Sequence, residues 1–434
     1  MTKNISRGVP GSQSSARRTN PCSGTSLTVI TVVLAAIISL SGCDKPPTFS
    51  ELINGKKKEA PPTAPPVAKS STPTPPPAQP AKPPEKPKRA PQEVLAEYNA
   101  TPYNQHTDAQ IRELASLPEA ADQITELYVA SSPVSDGGMA LFPKFEHVEK
   151  LTIDNCQISN AALASISKMK GLTSFSMGGA VMREPCDAGL ASIKEMHQLV
   201  SLNLDSTNIT PKGLEHVAQM EWLESLNVAH TRFNDDNLKI LAPLKNLKAL
   251  NISFTTVGDS GFAGLLPFHE LETLNIARLP IRGEGLKELG HRKAFPNLRN
   301  LYMFSIAGLE LSGYEGIYSF RQTLEALDVG QSALTDDRFV NAIAKCTKLE
   351  TLLVHDNPGL SDAGMSQVIK LRNLKKLYFY KNPGITDGSL QWFAKLRKLE
   401  SLTMNVTGVS ERGARALKKK MKNCEIVYND KKIE

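Results

Sequence analysis

The feature that most constrains this chain is a short apolar motif that recurs along most of its length. The motif has the form L-x-x-L-x-L, and other apolar residues replace leucine in some copies. We number the copies as repeats 1 to 12, which start at Ile124, Val148, Leu172, Leu199, Leu223, Leu247, Leu271, Leu298, Leu324, Leu349, Leu374 and Leu399. Successive copies lie 24–27 residues apart. Self-similarity at this period predicts a stack of small repeated units in place of one compact core.

Each repeat predicts one short strand followed by one short helix. The alternating Leu-x-Leu positions favour a strand with one buried face. Apolar residues three apart, as from Leu214 to Met220, then favour a helical turn with a buried stripe. We interpret the aspartates near these helix starts as N-cap residues, at Asp187, Asp259, Asp362 and Asp387.

The repeats resemble the leucine-rich repeat family, in the type that carries an Asp-x-Gly-Leu helix start, over residues 124–423. The resemblance implies an α/β solenoid, with a curved parallel sheet on its concave face and short helices on its convex face. Stacked repeats need covered ends. We therefore expect a capping helix region at 97–123, and a final strand with a polar tail at 424–434.

Residues 1–42 have the composition of a secretory signal. A basic segment precedes the uncharged run 27–40, which is too short to span a bilayer. The run ends in Leu40-Ser-Gly-Cys43, which resembles the lipobox of bacterial lipoproteins. The resemblance implies acylation of Cys43, for example by palmitate, and a lipid anchor in the bacterial cell membrane, with the repeats exported to the periplasm or cell surface. An ordinary signal peptide or a short uncleaved anchor is the alternative.

A proline-rich segment at 43–96 separates this signal from the repeats. It holds 15 of the 29 prolines, between Pro46 and Pro91, and few large apolar residues. Such a composition cannot bury enough surface to offset the entropy of folding, and proline favours polyproline II. We predict a disordered, semi-rigid stalk, and a PxxP docking role is the alternative.

The net charge of +7 invites a nucleic-acid hypothesis, which the distribution of charge rejects. Residues 1–42 hold four basic and no acidic residues, and residues 43–96 hold nine basic and five acidic. Residues 97–434 hold 38 basic and 39 acidic residues, a net of −1. Because nucleic-acid-binding domains carry strongly basic surfaces, we expect no nucleic-acid partner.

Motifs that carry chemistry are absent from the sequence. It contains no phosphate-binding loop, no Gly-x-Ser-x-Gly elbow and no His-Glu-x-x-His, and its histidines are scattered. Cys156, Cys186, Cys346 and Cys424 lie in different repeats, without a Cys-x-x-Cys spacing. We therefore expect no enzymatic activity, no cofactor and no metal.

A column of small polar residues follows the strands. It stands three residues beyond each strand, where the backbone turns into the core edge and its amides need partners. In the leucine-rich repeat family this column forms a hydrogen-bonded ladder. We assign to it Cys156, Thr207, Thr231, Thr255, Asn357, Asn382 and Thr407.

Outward strand positions on the concave face are the candidate ligand-binding residues. One set is an asparagine column, Asn203, Asn227, Asn251 and Asn275. It is either a cross-strand hydrogen-bonding array or a polar recognition strip. The second set combines aromatic residues with arginine, typical of binding hot spots, or packs mutually between strands: Arg278, Tyr302, Phe304, Leu353, His355, Tyr378 and Tyr380. The insertion at 178–186 in repeat 3 is either a functional loop or a tolerated one.

The sequence as a whole predicts a membrane-anchored leucine-rich repeat lipoprotein that acts as a protein interaction module. Its ligand would be a protein or peptide bound on the concave face. The alternatives are a structural cell-envelope protein, and carbohydrate or cell-wall binding without a dedicated protein partner.

Overall fold

The computed structural model describes residues 89–434, which form a leucine-rich repeat solenoid around one sheet. The strands follow one another in chain order, and each neighbouring pair is parallel up to the last pair, which is antiparallel. The strands are β1 Glu126–Tyr128, β2 Lys150–Thr152, β3 Ser174–Ser176, β4 Ser201–Asn203, β5 Ser225–Asn227, β6 Ala249–Asn251, β7 Thr273–Asn275, β8 Asn300–Tyr302, β9 Ala326–Asp328, β10 Thr351–Leu353, β11 Lys376–Tyr378, β12 Ser401–Met404, β13 Glu425–Tyr428 and β14 Lys431–Lys432. The predicted signal, Cys43 and nearly all of the proline-rich segment lie outside the described residues.

Short helices connect the strands. The α-helices are α1 Pro91–Ala100, α2 Asp108–Ala115, α3 Pro118–Ala121, α4 Asp136–Met139, α5 Asn160–Ile166, α6 Asp187–Ile193, α7 Pro211–Val217, α8 Asp235–Ile240, α9 Glu284–His291, α10 Leu311–Ser319, α11 Asp336–Asn341, α12 Asp362–Met365, α13 Leu390–Phe393 and α14 Glu411–Lys420. Short 3-10 helices span Tyr103–Gln105, Phe142–Lys144, Asp259–Leu265, Ile343–Lys345, Ser366–Lys370 and Asp387–Ser389. Within residues 89–434, no helix has the length and apolarity needed to cross a membrane.

The core runs continuously between the sheet and the helices. The central residue of each strand pairs in register with its equivalent in the next repeat, as Leu226 does with Leu250. These leucines are buried, together with the apolar residues of the helices, so each repeat completes its core against its neighbours. We call the opposite face of the sheet the concave face.

Both ends of the array are covered. At the N-terminus, α1 buries Val94 and Tyr98, and α2 buries Ile111 and Leu114. Because proline at the first position suits a helix start, α1 begins at Pro91, inside the segment that we assigned to the stalk, and the cap is larger than the predicted 97–123. At the C-terminus, β13 adds to the sheet, and the expected polar tail contributes β14.

The helix-start aspartates link consecutive repeats, which corrects our assignment of them as N-caps. The N-cap of α5 is Ser159, and Asp136 at the start of α4 accepts a hydrogen bond from the Ser159 N–H at 2.9 Å. Asp187 likewise accepts from the N–H of Thr210, at 3.1 Å. The aspartate follows the N-cap residue of its own helix, and its carboxylate accepts a hydrogen bond from the N-cap residue of the next helix. It therefore joins two repeats, whereas an N-cap would bond only within its own helix.

Immediately after the strands runs a column of residues in the left-handed conformation. We call it the left-handed column; it comprises Ser131, Asn155, Gly179, Ser206, His230, Phe254, Arg278, Ser305, Gln331, Asp356, Lys381, Val406 and Asp430. The N–H of each residue through Lys381 donates to a carbonyl of the next repeat, for example His230 to Ser253 at 3.1 Å. The turn ends the strand and directs most of these side chains outward along one edge of the concave face. We call that edge the rim.

Candidate binding surface

The column that we assigned to a ladder adopts two different arrangements. In the middle repeats, the hydroxyls of Thr207, Thr231 and Thr255 donate within their own repeat, to carbonyls at 2.6–2.7 Å. These bonds close the turn at the strand end and reach no neighbouring repeat. Thr407 in repeat 12 is half-buried, and its hydroxyl accepts from the Val409 N–H at 3.3 Å.

Elsewhere the same column bridges repeats. The Cys156 thiol contacts the carbonyl of Val129 in the preceding repeat at 3.1 Å, and burial raises the pKa of that thiol. The Asn357 amide donates to Val329 of the preceding repeat at 3.0 Å and accepts from the backbone of Ser332. The Asn382 amide donates to the Val354 carbonyl at 2.9 Å. Residues of this column can therefore bond within their own repeat, as the threonine hydroxyls do, or to the preceding repeat, as Cys156, Asn357 and Asn382 do.

The asparagine column of repeats 4 to 7 caps the strand ends. The side-chain oxygens of Asn203, Asn227, Asn251 and Asn275 each accept from the N–H two residues further on, at 3.0–3.1 Å. In this column only the Asn203 amide also bonds across strands, to the Ser176 hydroxyl at 2.8 Å. The amide nitrogens of Asn227 and Asn251 have no hydrogen-bond partner within residues 89–434 and lie half-buried on the concave face. Asn275 is buried.

Asp328 occupies the equivalent position in repeat 9, and sequence reasoning missed it. One carboxylate oxygen accepts from the Gly330 N–H at 2.9 Å, the same cap that the asparagines form. Unlike them, Asp328 is completely buried, and its second oxygen has no partner among the described residues. Burial raises the pKa of Asp328 to about 7, against the lowering effect of the Gly330 hydrogen bond. The available signal was an acid in an outward strand position flanked by Tyr302 and Leu353.

Asp328 belongs to a group of three buried polar side chains, which we call the buried polar cluster: Tyr302, Asp328 and His355. Tyr302 pairs directly with Asp328 in the sheet register. The Tyr302 hydroxyl and His355 Nδ1 are buried and without hydrogen-bond partners in the described part of the chain. Burial raises the pKa of Tyr302 to about 12 and lowers the pKa of His355 to about 4. At neutral pH both side chains are therefore uncharged.

His355 lies across the backbone of Gly330. A Cβ atom at position 330 would stand 2.2 Å from the imidazole Cε1, so only glycine leaves room for the ring. The other face of the imidazole stacks on Tyr380, with centroids 4.5 Å apart and planes 6° from parallel. The sheet, a glycine and a tyrosine thus hold the ring in place.

Aromatic and basic side chains continue this packing along the rim. We call the contiguous set the rim stack: His230, Phe254, Arg278, Phe304, His355 and Tyr380. Stacking joins His230 to Phe254 at 4.0 Å between centroids, and Phe304 contacts His355 at 5.2 Å. The Arg278 guanidinium lies 5.2 Å from the Phe254 ring and 5.9 Å from the Phe304 ring, which connects the two halves. Neighbouring repeats supply successive members, apart from repeat 9, where Gly330 supplies no side chain.

The structure divides the predicted hot-spot residues by accessibility. Tyr302, Leu353 and His355 are buried, so our expectation that they face a ligand directly is not met in this conformation. The reason is that large side chains in adjacent strands cover one another. Phe304, Tyr378 and Tyr380 are half-buried, and Arg278 is exposed.

The insertion at 178–186 forms one wall of a groove at the rim. The groove has a volume of about 1060 Å³, and we call it the rim groove. Val181, Met182 and Pro185 line it on the insertion side, and His230, Phe254 and Arg278 of the rim stack line it as well. A second groove, of about 650 Å³, lies against the same insertion and includes Arg183 and Glu184. The insertion thus stands between two grooves.

The described residues hold no cluster of three or more His, Cys, Asp or Glu side chains arranged to bind a metal ion. Cys156, Cys186, Cys346 and Cys424 are unpaired and buried. Burial raises the pKa of each of these thiols, which disfavours the reactive thiolate.

Comparisons with known proteins agree with a repeat architecture. A family model described as Leucine Rich repeat matches residues 244–265. No characterised protein sequence gives a match.

Many solved structures resemble this chain, and the three described here do so at low identity. An internalin from Listeria monocytogenes is 18% identical, with 74% of this chain and 93% of the internalin covered and a TM-score of 0.46. Internalin C2 from the same organism is 17% identical, with 64% and 93% covered and a TM-score of 0.34. The plant peptide hormone receptor RGFR1, in complex with RGF2, is 14% identical, with 71% and 55% covered and a TM-score of 0.38. At these values, the assignment of the fold rests on the sheet register of the chain itself.

Proposed function

We propose that this chain is an exported, lipid-anchored leucine-rich repeat protein that binds a protein partner on its concave face and rim. The observation that carries the proposal is the rim stack. Six aromatic and basic side chains from six repeats touch in sequence, and their outer surfaces remain open at Phe304, Tyr380 and Arg278. Aromatic residues with arginine dominate the energy of protein interfaces.

Prior ordering of this surface favours binding. Side chains that are already packed against one another lose little conformational freedom when a partner docks. The middle repeats contribute a polar surface, where the free amide nitrogens of the half-buried Asn227 and Asn251 are available to hydrogen-bond a partner. Rigid aromatic side chains beside a polar surface are typical of a protein interaction surface.

A capture experiment tests this proposal. The full chain and a Phe304→Ala/Tyr378→Ala/Tyr380→Ala variant would each be used to capture proteins from membrane extracts. A Tyr103→Ala/Tyr128→Ala variant is the matched control, because these tyrosines are exposed and pack edge to face at the other end of the array. We expect the triple variant to lose partners that the wild type and the control retain. Identical partner sets for all three proteins would contradict the assignment of this surface.

The lipid anchor is a separate proposal that rests on the sequence motif ending at Cys43. Metabolic labelling with a fatty acid should mark the wild type and leave Cys43→Ala unlabelled. Cys424→Ala is the control, because Cys424 is a buried thiol of the array. Label retained on Cys43→Ala would contradict acylation at that position.

A further inference from the structure

We propose that the rim groove binds an acidic segment of the partner, with a partner carboxylate on the guanidinium of Arg278 or Arg232. This inference rests on the proposed function, since it specifies the chemistry of a partner that the array must bind. The groove lies in repeats 3 to 7 and shares His230, Phe254 and Arg278 with the rim stack, which continues to repeat 11.

The rim groove is cationic. The charged or titratable residues that line it are His230, Arg232 and Arg278, and no carboxylate is among the lining residues. The neighbouring Asp205 is engaged by His230 Nδ1 at 2.8 Å. Neither the Arg232 nor the Arg278 side chain forms a hydrogen bond or an ion pair within residues 89–434. The array as a whole carries a net charge of −1, so this cationic groove is a local feature.

The position of the Arg278 side chain also favours a carboxylate ligand. Its guanidinium carbon lies 5.2 Å from the centroid of the Phe254 ring and 5.9 Å from that of the Phe304 ring, within cation–π distance of both. The edge of the guanidinium, which carries its N–H donors, is left free, and that planar fork matches both oxygens of a carboxylate. Holding the side chain in place before binding removes part of the entropy that a flexible arginine would lose.

The backbone conformation along the groove also supports a binding role. The left-handed column in repeats 3 to 7 lines the groove throughout, and in repeats 5 to 7 it carries His230, Phe254 and Arg278 at φ of 53–56°. Phenylalanine and arginine are unfavourable at such angles, whereas histidine tolerates them better, and strain of this kind concentrates at functional sites. In most other repeats the column carries serine, asparagine, glutamine or aspartate. Three consecutive bulky residues thus coincide with the groove.

The wall of the groove indicates that the acidic segment also carries apolar residues. Val181 of the insertion is 58% exposed, although valine is apolar, and Met182, Ile209 and Pro211 line the groove near it. Apolar residues and two arginines in the same groove are complementary to a peptide that carries both acidic and apolar residues. A polynucleotide would leave this wall without a partner.

The stalk of the same chain is a poor occupant for the groove. Residues 43–96 carry nine basic and five acidic residues, a net of +4, and so have the same sign of charge as the two arginines. The proposal therefore assigns the groove to a segment of another protein.

Peptide selection tests the inference. A random 12-residue phage-display library would be panned against the full chain in detergent micelles, in parallel with an Arg232→Ala/Arg278→Ala variant and a Lys381→Ala control. Lys381 is an exposed cation of the left-handed column in repeat 11, and it does not line the groove. We expect peptides rich in Asp and Glu to be enriched on the wild type and on Lys381→Ala, and not on the double variant. Thermal unfolding of the three proteins verifies that each is folded.

Affinity measurements then isolate the carboxylate. Fluorescence anisotropy would compare the most enriched acidic peptide with its Gln/Asn counterpart. Loss of charge-assisted hydrogen bonds should weaken binding by about 10-fold or more, and added salt should weaken the acidic peptide selectively. Neutral or basic peptides, or acidic ones equally enriched on the double variant, would overturn this inference and leave the proposed function standing. If no peptide is enriched and membrane extracts yield no partner, both proposals fail.

Discussion

Repeats 4 to 7 and repeats 8 to 11 use the same structural columns and fill them differently. In the middle repeats, threonine hydroxyls close the turn within each repeat, at 2.6–2.7 Å. In the later repeats, Ser332, Asn357 and Asn382 bond to carbonyls of the preceding repeat. The strand-end cap is neutral asparagine in the middle repeats and a buried aspartate in repeat 9.

The difference teaches that one sequence position can stabilise either a repeat or the joint between two repeats. Side-chain length alone does not decide which, because the short Ser332 hydroxyl also donates to the Met303 carbonyl of the preceding repeat. Asparagine differs in that its amide offers donors and an acceptor together. In a linear array, stability is the sum of repeat and interface contributions. The later repeats therefore gain cooperative coupling, which suits a surface whose aromatic residues come from several repeats.

The largest expected effect follows from Asn357→Ala. The Asn357 amide is completely buried, donates to Val329, Val354 and His355, and accepts from Ser332 and Leu334. Its removal leaves buried backbone groups without partners, so we expect the free energy of unfolding to fall by about 3 kcal/mol or more. Urea denaturation measures the change. Hydrogen exchange should localise the loss to repeats 9 to 11, and a loss confined to repeat 10 would contradict a role in coupling repeats.

The second prediction is Asp328→Asn, which gives repeat 9 the cap that repeats 4 to 7 use. The folded chain holds the pKa of Asp328 at about 7, above its ordinary value of about 3.9, so the folded state favours the protonated acid. Ionisation therefore costs stability as pH rises from about 4 through 7. The variant should match the wild type near pH 4 and exceed it at pH 8 by about 2–4 kcal/mol. Urea midpoints of both proteins from pH 4 to pH 8 provide the measurement. A stability gain that does not change with pH would show that Asp328 is ionised throughout.

The third prediction compares Gly330 with Ala277, its equivalent in repeat 7. Gly330→Ala places a methyl group against the His355 ring, so the ring and its stacked Tyr380 must move. Overpacking of this kind costs about 1–3 kcal/mol. Thermal unfolding measures this loss of stability. The variant should also bind any partner of the rim stack more weakly than the wild type does. Ala277→Gly is the control, since it changes the equivalent position of repeat 7 and leaves His355 in place. Equal effects of the two variants on partner binding would contradict a role for the orientation of His355.

The smallest expected effect is that of Thr231→Val. Valine keeps the shape of threonine and removes a single hydrogen bond, to the Val228 carbonyl at 2.7 Å. The free energy of unfolding should fall by about 1 kcal/mol, without a change in the coupling of repeats 4 and 5. Urea denaturation of this variant and of Asn357→Ala compares the two losses in the free energy of unfolding directly. Equal losses would remove the distinction between the two halves of the array.

The sequence by itself determined the repeat period, the buried face of each strand and the order of the sheet. These follow from local periodicity, because alternating leucines in identical units leave one way to bury them all. It also placed the candidate surface on outward strand positions, among them Phe304, Tyr378 and Tyr380, which are half-buried on the concave face.

Only the tertiary structure decided which outward residues are accessible and which are linked. Tyr302 and Asp328 are far apart in the chain and become buried because the sheet register sets them side by side. The reach of Asp136 to the next helix start, and the union of the 178–186 insertion with Arg278 in one groove, depend on distances between repeats. Such distances come from the packing of neighbouring units, and a motif read within a single repeat contains no information about them.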